Sequence, residues 1–496
     1  MTHSRKFCFI RSSFRLAMTL LTLTALSACV SLPNVDKVVA QDTEVAWFNE
    51  VLASLEGEAS FGEPVSVGAQ WWTILNDDTL NELVFRALEH NADIHKAQAQ
   101  LREARAISRQ VRSALWPTVN AGASYTWTEQ SVNSPNGPSS LIQAGFIDRD
   151  LEFWGADLSA QWEVDLFGAS RYGARSSYAR TSAQSESVRA VKLAAVAQVV
   201  AAYVQHTALT ARARLLSRNV DTQDQTLSLL EKRLGVGLES RLNVDRASGQ
   251  LAATRARVPL IEARQRDVVY QLSLLTGWSV ADVDHALSSA EPLNTQAIVP
   301  QRGVKSALLS RRPDVLAAQY QLFSASFDVG AASARLFPQL LIGAQSGYSS
   351  GATSTLFDSD SRLAAIAPTL SLPVFNRGRL RAAREAAQAR YAYAVSHYEQ
   401  TAQAALLDAE RQWLNVMATR HNARLLDSAA AANRASAERA QKLYDRGLVS
   451  YLELLDAQRQ QLLAEDAVVQ GVAAADEALV RLFVALGGGW PDDPGG

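Results

Sequence analysis

The stretch QKLYDRGLVSYLELLDAQ, residues 441–458, interrupts a helical pattern that otherwise runs through residues 377–486 without a proline. Gly447 suits the left-handed backbone conformation that ends a helix, and Ser450 with Glu453 has the spacing of a capping box that starts the next helix. At ~1.5 Å per residue, the arm before the turn has a predicted length of roughly 100 Å. The stretch therefore predicts a long helical hairpin. Apolar residues recur at helical spacing on both of its arms: Leu406, Leu407, Trp413, Leu414, Met417, Leu452, Leu455, Leu462 and Leu463.

The same pattern occurs earlier in the chain. A second proline-free helical run, residues 167–234, leads into the turn GVGLES at residues 235–240. Upstream, residues 87–117 match residues 308–338 at a constant offset. We interpret the chain as a tandem duplication in which each half contains a helix, an extended segment, a long helix, a turn and a helix. The predicted segments are a leader (1–28), an N-terminal segment (29–76), a first repeat (77–290), a second repeat (291–489) and a tail (490–496).

Residues 1–28 have the pattern of an export signal, since four basic residues and no acid precede an apolar run that is too short to cross a bilayer. The run ends in Leu-Ser-Ala-Cys at residues 26–29, which resembles the bacterial lipobox. Cys29 is therefore the predicted lipidation site and the first residue of the mature chain. The alternative is a plain signal peptide that is cleaved nearby.

Composition excludes several classes of function. The sequence has two cysteines, Cys8 in the leader and Cys29, so the mature chain has none for a disulfide, a metal site or redox chemistry. Removing the four basic residues of the leader lowers 48 basic residues to 44, against 50 acidic residues, which gives a net charge of −6. A nucleic-acid partner is not indicated. Apart from the leader, we identify no apolar run long enough to be a transmembrane helix.

After Pro117 the periodicity of the sequence changes from 3.6 to 2. Two alternating runs, separated by a loop rich in Ser, Asn, Gly and Pro, predict a β-hairpin with one apolar and one polar face. The apolar face is aromatic at its ends and rich in alanine between them, as in a membrane strand. The second repeat contains a weaker version at residues 339–348 and 363–375. The apolar set is Val119, Ala121, Ala123, Tyr125, Trp127, Trp154, Ala156, Leu158, Ala160, Trp162, Val164 and Leu166.

Four strands cannot close a barrel, and an open sheet edge in lipid leaves backbone groups without partners at a cost of several kcal/mol each. The sequence therefore predicts an oligomer in which each copy supplies four strands. Pro259 lies inside the helix that follows the first turn. It is expected either to bend that helix or to separate two shorter ones.

The lipobox, the duplicated plan, the segment LPVFNRG at residues 372–378 and above all RGLVSYLELLDAQ at residues 446–458 resemble the TolC-type outer membrane factors. Within that family the chain looks like the NodT-like lipoproteins of RND drug efflux pumps. The resemblance implies an α+β membrane protein: a homotrimer with a 12-stranded barrel in the outer membrane and a periplasmic coiled-coil barrel of helices. It implies a passive exit duct that works with a periplasmic adaptor and an inner-membrane pump, and no cofactor.

In the family, the periplasmic turns meet the adaptor. The matching positions here are Gly237, Leu238, Ser240, Gly447, Leu448 and Ser450. Glycine and serine are also explained as helix caps. A leucine at the end of a turn needs more explanation, because it either packs back on its own hairpin or awaits a partner.

The resemblance also implies a periplasmic gate at Leu452 and Asp456, which are four residues apart and hence on one helical face. Three carboxylates brought together around a threefold axis repel one another, so they are expected to take up protons more readily or to hold a cation. Glu453 is a third candidate, although the capping box accounts for it. The alternative for Asp456 is an ordinary solvated acid.

The sequence contains no constellation typical of an enzyme, such as a phosphate loop, His-Glu-x-x-His or a cysteine nucleophile. Asp157, Glu163 and Asp165 alternate along the second strand and are interpreted as a polar pore lining. Two other functions stay open at this point: a TolC-type duct for type I protein secretion, and a structural lipoprotein that conducts nothing.

Overall fold

The computed structural model describes most of the mature chain. The described residues are 32–35, 70–133, 139–293, 295, 298 and 311–488. The predicted leader, the lipidation site Cys29 and the predicted tail lie outside the described residues.

Helices dominate the described chain, and four strands form one sheet. In chain order the main elements are a 3-10 helix (Trp71–Leu75), α1 (Asp78–His90), α2 (Ala92–Ser113), β1 (Thr118–Glu129), α3 (Ser139–Gln143), β2 (Asp150–Val164), α4 (Ala169–Gly235), α5 (Arg241–Arg255), α6 (Val258–Thr276), α7 (Val280–Leu287), α8 (Pro313–Ala334), β3 (Gln339–Ser350), β4 (Arg362–Ser371), α9 (Arg377–Asp445) and α10 (Tyr451–Ala485).

The two halves of the chain contain equivalent elements in the same order. Strands β1 and β3 have 12 residues each, and both follow a Leu-aromatic-Pro sequence. The long helices α4 and α9 have 67 and 69 residues, and each leads into a turn and a further helix. The order predicted for the duplication is therefore the order that the structure has.

Some predicted boundaries were wrong. The first helix of the first repeat, for which the sequence predicts residues 77–115, is divided at Asn91. The backbone of Asn91 is extended, and its side chain Oδ1 accepts hydrogen bonds from the backbone N–H groups of Asp93 and Ile94, at 2.9 and 3.2 Å. These bonds start α2. Strand β4 ends at Ser371, earlier than predicted.

The helix after the first turn is interrupted near Pro259. Helix α5 ends at Arg255, and α6 begins at Val258 with the proline in its first turn. Proline has no N–H to donate inside a helix, and its missing donor is tolerated in the first turn. Of the two outcomes expected for this proline, the structure shows two shorter helices.

The sheet is antiparallel throughout, with strand order β1-β2-β3-β4. Its inner pair, β2 with β3, joins the two repeats, and Val164 opposes Leu340 at one end of that pairing. Strands β1 and β4 are the two edges. The predicted alternation holds over most of the first hairpin, because apolar residues of β1 face apolar residues of β2: Val119 opposes Ala160, and Tyr125 opposes Trp154.

The chain forms two compact units, and each unit combines segments from both repeats. Of the described residues, one unit contains 32–35, 103–133, 139–182 and 320–396 and includes the sheet, and the other contains 70–102, 183–293, 295, 298, 311–319 and 397–488. In the unit with the sheet, Ser176 Oγ donates a 2.6 Å hydrogen bond to Asp328, and Arg180 forms a 2.6 Å ion pair with the same carboxylate. These contacts connect α4 to α8.

The main hydrophobic core belongs to the second unit. Trp71 and Trp72 are fully buried there against Phe483 of α10 and the apolar side chains of α4. Tyr203 donates a 2.6 Å hydrogen bond to Asp77, and the other oxygen of that carboxylate caps α1. The tryptophan pair at the end of the predicted N-terminal segment is thus an anchor for the helical core.

One described helix, α4, is long and apolar enough by length and composition to qualify as a candidate membrane span, and about half of its most apolar window is buried. Our sequence prediction overlooked it. Burial explains the apolar content, because Val196, Val199 and Val200 of this helix lie in the core.

Candidate functional site

The sheet has one apolar and one polar face, and much of the apolar face is exposed in the single chain. Val119, Leu158 and Leu370 are exposed, and Ile366 is 78% exposed. The opposite face carries Asn120, Ser159, Gln161 and Gln345. Large apolar side chains that are exposed on alternating residues of a strand are typical of strands that contact lipid.

The three carboxylates predicted to line a pore have different surroundings. Asp157 and Glu163 lie on the polar face of β2 and oppose Gly347 and Leu341. Asp165 lies beyond the end of β2, where its carboxylate accepts hydrogen bonds from the backbone and the side chain of Arg171, at 2.8 and 3.2 Å. The assignment of Asp165 to the strand was therefore wrong, because its carboxylate is engaged at the start of α4.

The second turn combines two capping motifs. Gly447 adopts a φ of 71°, and the N–H groups of Gly447 and Leu448 donate to the carbonyls of Tyr444 and Leu443, at 2.9 Å each. This pattern is a Schellman motif. Ser450 and Glu453 then form the predicted capping box, so the start of α10 is fixed.

The first turn repeats the Schellman motif. Gly237 has a φ of 74°, and the N–H groups of Gly237 and Leu238 donate to the carbonyls of Leu234 and Arg233, at 3.0 and 2.8 Å. Ser240 caps α5 by accepting from the backbone N–H of Asn243. The two turns are therefore equivalent in backbone geometry as well as in sequence.

The leucine of each turn does not pack back on its own hairpin. Leu238 is 76% exposed and Leu448 is 67% exposed. The hydrogen bonds of the Schellman motifs fix the backbone that carries these side chains. Each turn thus presents an apolar side chain on a rigid support, which suits contact with a partner.

A hydrogen-bonded cluster connects the two turns, and our sequence analysis did not identify it. Glu239 accepts hydrogen bonds from Ser240 N at 2.9 Å, Asn243 Nδ2 at 2.8 Å and the hydroxyl of Tyr444 at 3.1 Å. The Arg233 guanidinium lies 5.4 Å from the centre of the Tyr444 ring. The glutamate therefore joins the end of α9 to the start of α5.

The cluster shifts the pKa values of its members. Partial burial raises the pKa of the Glu239 carboxyl, but its hydrogen bonds and Arg233 more than offset burial, so that its pKa lies below its usual value. Burial, with the carboxylate nearby, raises the pKa of Tyr444 and brings that of Tyr451 to about 12. Glu239 is thus charged and both tyrosines are protonated at neutral pH.

The predicted gate residues lie together on α10. Leu452 and Asp456 are exposed, whereas the intervening Leu454 and Leu455 are buried against the first hairpin. Glu453 is the capping residue, since its carboxylate accepts from Ser450 N at 3.0 Å. The face with Leu452 and Asp456 is thus accessible in a single chain.

A buried acid on α10 also escaped the sequence analysis. Asp476 accepts a short hydrogen bond from the Thr295 hydroxyl, and Arg420 donates to the carbonyls of Thr295 and Ile298 at 2.9 and 2.7 Å. Burial raises the pKa of Asp476 to about 6, although Thr295 and Arg420 act in the opposite direction. Sequence offers little signal here, because the contact joins residues 181 positions apart.

Within the described residues, no group of three or more His, Cys, Asp or Glu side chains is arranged to hold a metal ion. The geometry instead comprises a sheet with an exposed apolar face and two capped turns with exposed leucines.

The family described as "Outer membrane efflux protein" matches residues 83–278 and 304–488. The chain is 30% identical over 489 residues to the outer membrane protein OprJ of Pseudomonas aeruginosa, covering 97% of each chain. It is 29% identical over 478 residues to the toluene efflux pump outer membrane protein TtgF of Pseudomonas putida, covering 94% of this chain and 95% of TtgF.

Among solved structures, the outer-membrane channel OprN superposes with a TM-score of 0.81 at 30% identity, covering 87% of this chain and 95% of OprN. The matched segments include both long hairpins and all four strands of the sheet. The similarity thus extends over nearly the whole described chain, including both turns.

Proposed function

The chain belongs to the outer membrane efflux protein family and has the α+β fold of the TolC-type outer-membrane channels, and from that premise we propose that three copies form the exit duct of a tripartite efflux pump. It is an outer-membrane protein whose long helices form a tunnel in the periplasm. The relatives are efflux channels and not enzymes.

The observation that carries the proposal is the sheet, which has an exposed apolar face and two free edges. A strand edge in the hydrocarbon region of a bilayer leaves N–H and C=O groups without water, so the sheet must close. Three copies supply the 12 strands of a closed barrel. Its apolar face contacts lipid, and its polar face, with Asp157 and Glu163, lines the pore and favours cations.

A passive duct needs no pocket for its substrate. The name of TtgF refers to toluene efflux, and we infer that this chain likewise exports drugs or other small toxic compounds. Selection of the compound belongs to the inner-membrane pump, for which the resemblance implies the RND class.

The two capped turns suit the contact with a periplasmic adaptor protein. Leu238 and Leu448 are exposed on rigid backbone, and Gly237, Ser240, Gly447 and Ser450 fix that backbone by their φ angles and capping bonds. An apolar side chain on a fixed backbone loses less entropy on binding than one on a flexible loop. We propose in addition that a lipid on Cys29 fixes the chain to the outer membrane.

The gate is formed by Leu452 and Asp456 around the threefold axis. Both side chains are exposed in one chain, and three copies bring three leucines and three carboxylates together. Repulsion between the carboxylates favours proton uptake or a bound cation. Glu453 contributes through its capping bond to Ser450, which fixes the start of α10.

Single-channel conductance of the purified protein in a planar bilayer tests this proposal. We expect a small conductance that rises in Asp456→Ala and in Leu452→Ala, because each change widens the constriction. Asp245→Ala is the matched control, since Asp245 is an exposed acid near the first turn and forms an ion pair with Arg241. If inserted trimers of every variant show no conductance, the duct is excluded and a structural lipoprotein is the better account.

A further inference from the structure

Two aromatic rings stack on each other at the junction between the two repeats of one chain. Phe167 follows β2, Phe337 precedes β3, and their rings are stacked, with centroids 4.8 Å apart and an angle of 17° between the planes. The pair lies next to the end of the β2–β3 pairing, where Val164 opposes Leu340. Both rings are half-buried. The stack therefore accompanies the strand pairing that joins the first repeat to the second.

Each ring has an equivalent in the other repeat. Phe167 lies two residues before α4, and Phe375 lies two residues before α9. Phe337 lies two residues before β3, and Trp116 lies two residues before β1. Phe375 and Trp116 thus occupy the end of the second repeat and the start of the first, beside the two free edges of the sheet.

Phe375 and Trp116 are exposed, whereas the internal pair, Phe167 and Phe337, is half-buried. Phe375 is 101% exposed and Trp116 is 71% exposed, and Leu372 and Val374 beside Phe375 are exposed as well. Large apolar side chains clustered in this way mark a surface that another protein or a membrane covers, and the duplication decides between the two here. The duplication indicates that a second copy of the chain covers this surface. The first repeat of that copy then lies beside the second repeat of its neighbour, just as the two repeats lie side by side within one chain.

The strand register supports this occupant. Applying the β2–β3 register to the equivalent strands places β4 of one copy beside β1 of the next. Leu370 then opposes Ala121, and Ile366 opposes Tyr125, so that apolar faces apolar. At the far end Arg362 opposes Glu129, which forms a 2.7 Å ion pair with Arg149 of its own chain, and opposite charges across a strand pair are favourable. The two edges are therefore complementary in both polarity and charge.

We propose that Phe375 of each copy stacks on Trp116 of the next copy, and that this stack repeats between chains the contact that Phe167 and Phe337 make within one. The inference rests on the proposed trimeric duct and adds the residue pair that joins its subunits. Offset stacking of aromatic rings contributes beyond the area that it buries. The three stacks close the ring of subunits at the base of the barrel.

Oxidative cross-linking of a Trp116→Cys/Phe375→Cys double variant in membranes tests the pair. The native cysteines, Cys8 and Cys29, lie in the leader and at the lipidation site. Because each copy carries both partners, we expect the band on non-reducing gels to shift from monomer to covalent dimer and trimer. Neither single variant gives the covalent trimer. Phe167→Cys/Phe337→Cys is the matched control, and it forms a disulfide within one chain.

A second probe does not depend on disulfide geometry. A photoreactive benzophenone amino acid at position 375, which is fully exposed, is expected to cross-link to the peptide that contains Trp116 of another copy. Native mass spectrometry of the same samples separates the two ways to fail. If the protein is a trimer but position 375 cross-links to a different peptide, the proposed contact between Phe375 and Trp116 is wrong and the proposed duct stands. If the protein is a monomer, the proposed duct is wrong as well.

Discussion

Replacing Tyr444 with phenylalanine removes one hydroxyl from the contact between the two turns and leaves the aromatic ring in place. The ring is buried and lies 6.0 Å from that of Tyr451, so its packing survives the change. What is lost is the 3.1 Å hydrogen bond to Glu239. This bond joins the end of α9 to the segment that starts α5, and both segments must separate if the turns move apart when the gate opens.

The structure sets the size of the effect. A hydrogen bond to a charged group contributes about 1.5–3 kcal/mol, but Glu239 keeps its bonds from Ser240 N and Asn243, so we take about 1 kcal/mol per chain. If three copies open together, the closed state loses about 3 kcal/mol. At 1.4 kcal/mol per factor of ten, the opening equilibrium changes by on the order of 100-fold.

Single-channel recording measures this equilibrium as the fraction of time spent in the larger conductance state. Tyr270→Phe is the matched control, since it also removes a hydroxyl, but from an exposed ring on α6. The reasoning is refuted if Tyr444→Phe opens no more often than the native channel while Asp456→Ala, in the same preparation, does. The link would then stabilise the turn without restraining the gate.

Three further predictions concern Gly447, Asp476 and Ile366. Gly447→Ala is expected to lower the free energy of unfolding by about 1 kcal/mol because Gly447 has a φ of 71°. Gly249→Ala, in the interior of α5, is expected to raise the free energy of unfolding by about the same amount. Neither added Cβ meets another atom, so thermal melting of the two variants compares the backbone effects alone. Asp476 has a pKa of about 6, above its usual 3.8, so the folded state binds its proton more tightly, and its contribution is complete below about 3.8 and lost as the pH rises through 6. The Tm of the native chain should therefore fall over that range relative to Asp476→Asn, and parallel pH profiles would contradict this cause. Ile366→Asp on the apolar face of β4 should reduce the yield of trimer in the outer membrane, while Gln345→Asp on the polar face should not, and equal yields would show that the faces are misassigned.

Local patterns in the sequence predicted most of the fold. The helical hairpins were predictable because their caps are local: Gly447, Ser450 and Glu453 interact across three or four positions. The faces of the strands were equally readable, since alternate side chains of a strand must point to opposite sides. The four open-edged strands predicted an oligomer, and the family resemblance added that this oligomer is a trimer.

Other features depended on contacts between distant parts of the chain. Glu239 and Tyr444 are 205 positions apart, and neither residue type in a turn indicates the other. Asp165 continues the alternation of β2, yet it lies after the end of that strand, where its carboxylate accepts a hydrogen bond from Arg171. The burial of Asp476 results from packing against Thr295 and Arg420.

The sequence by itself thus determined the elements, their caps, the two faces of the sheet and the duplication, because these depend on interactions within a few residues. Only the tertiary structure decided that β2 of the first repeat pairs with β3 of the second, which turn residues are linked and which rings are covered. Such contacts depend on how the helices and strands pack, and packing brings together residues that no local period relates. The internal stack of Phe167 on Phe337 shows the difference, since sequence places each ring beside a strand but only the fold brings them together.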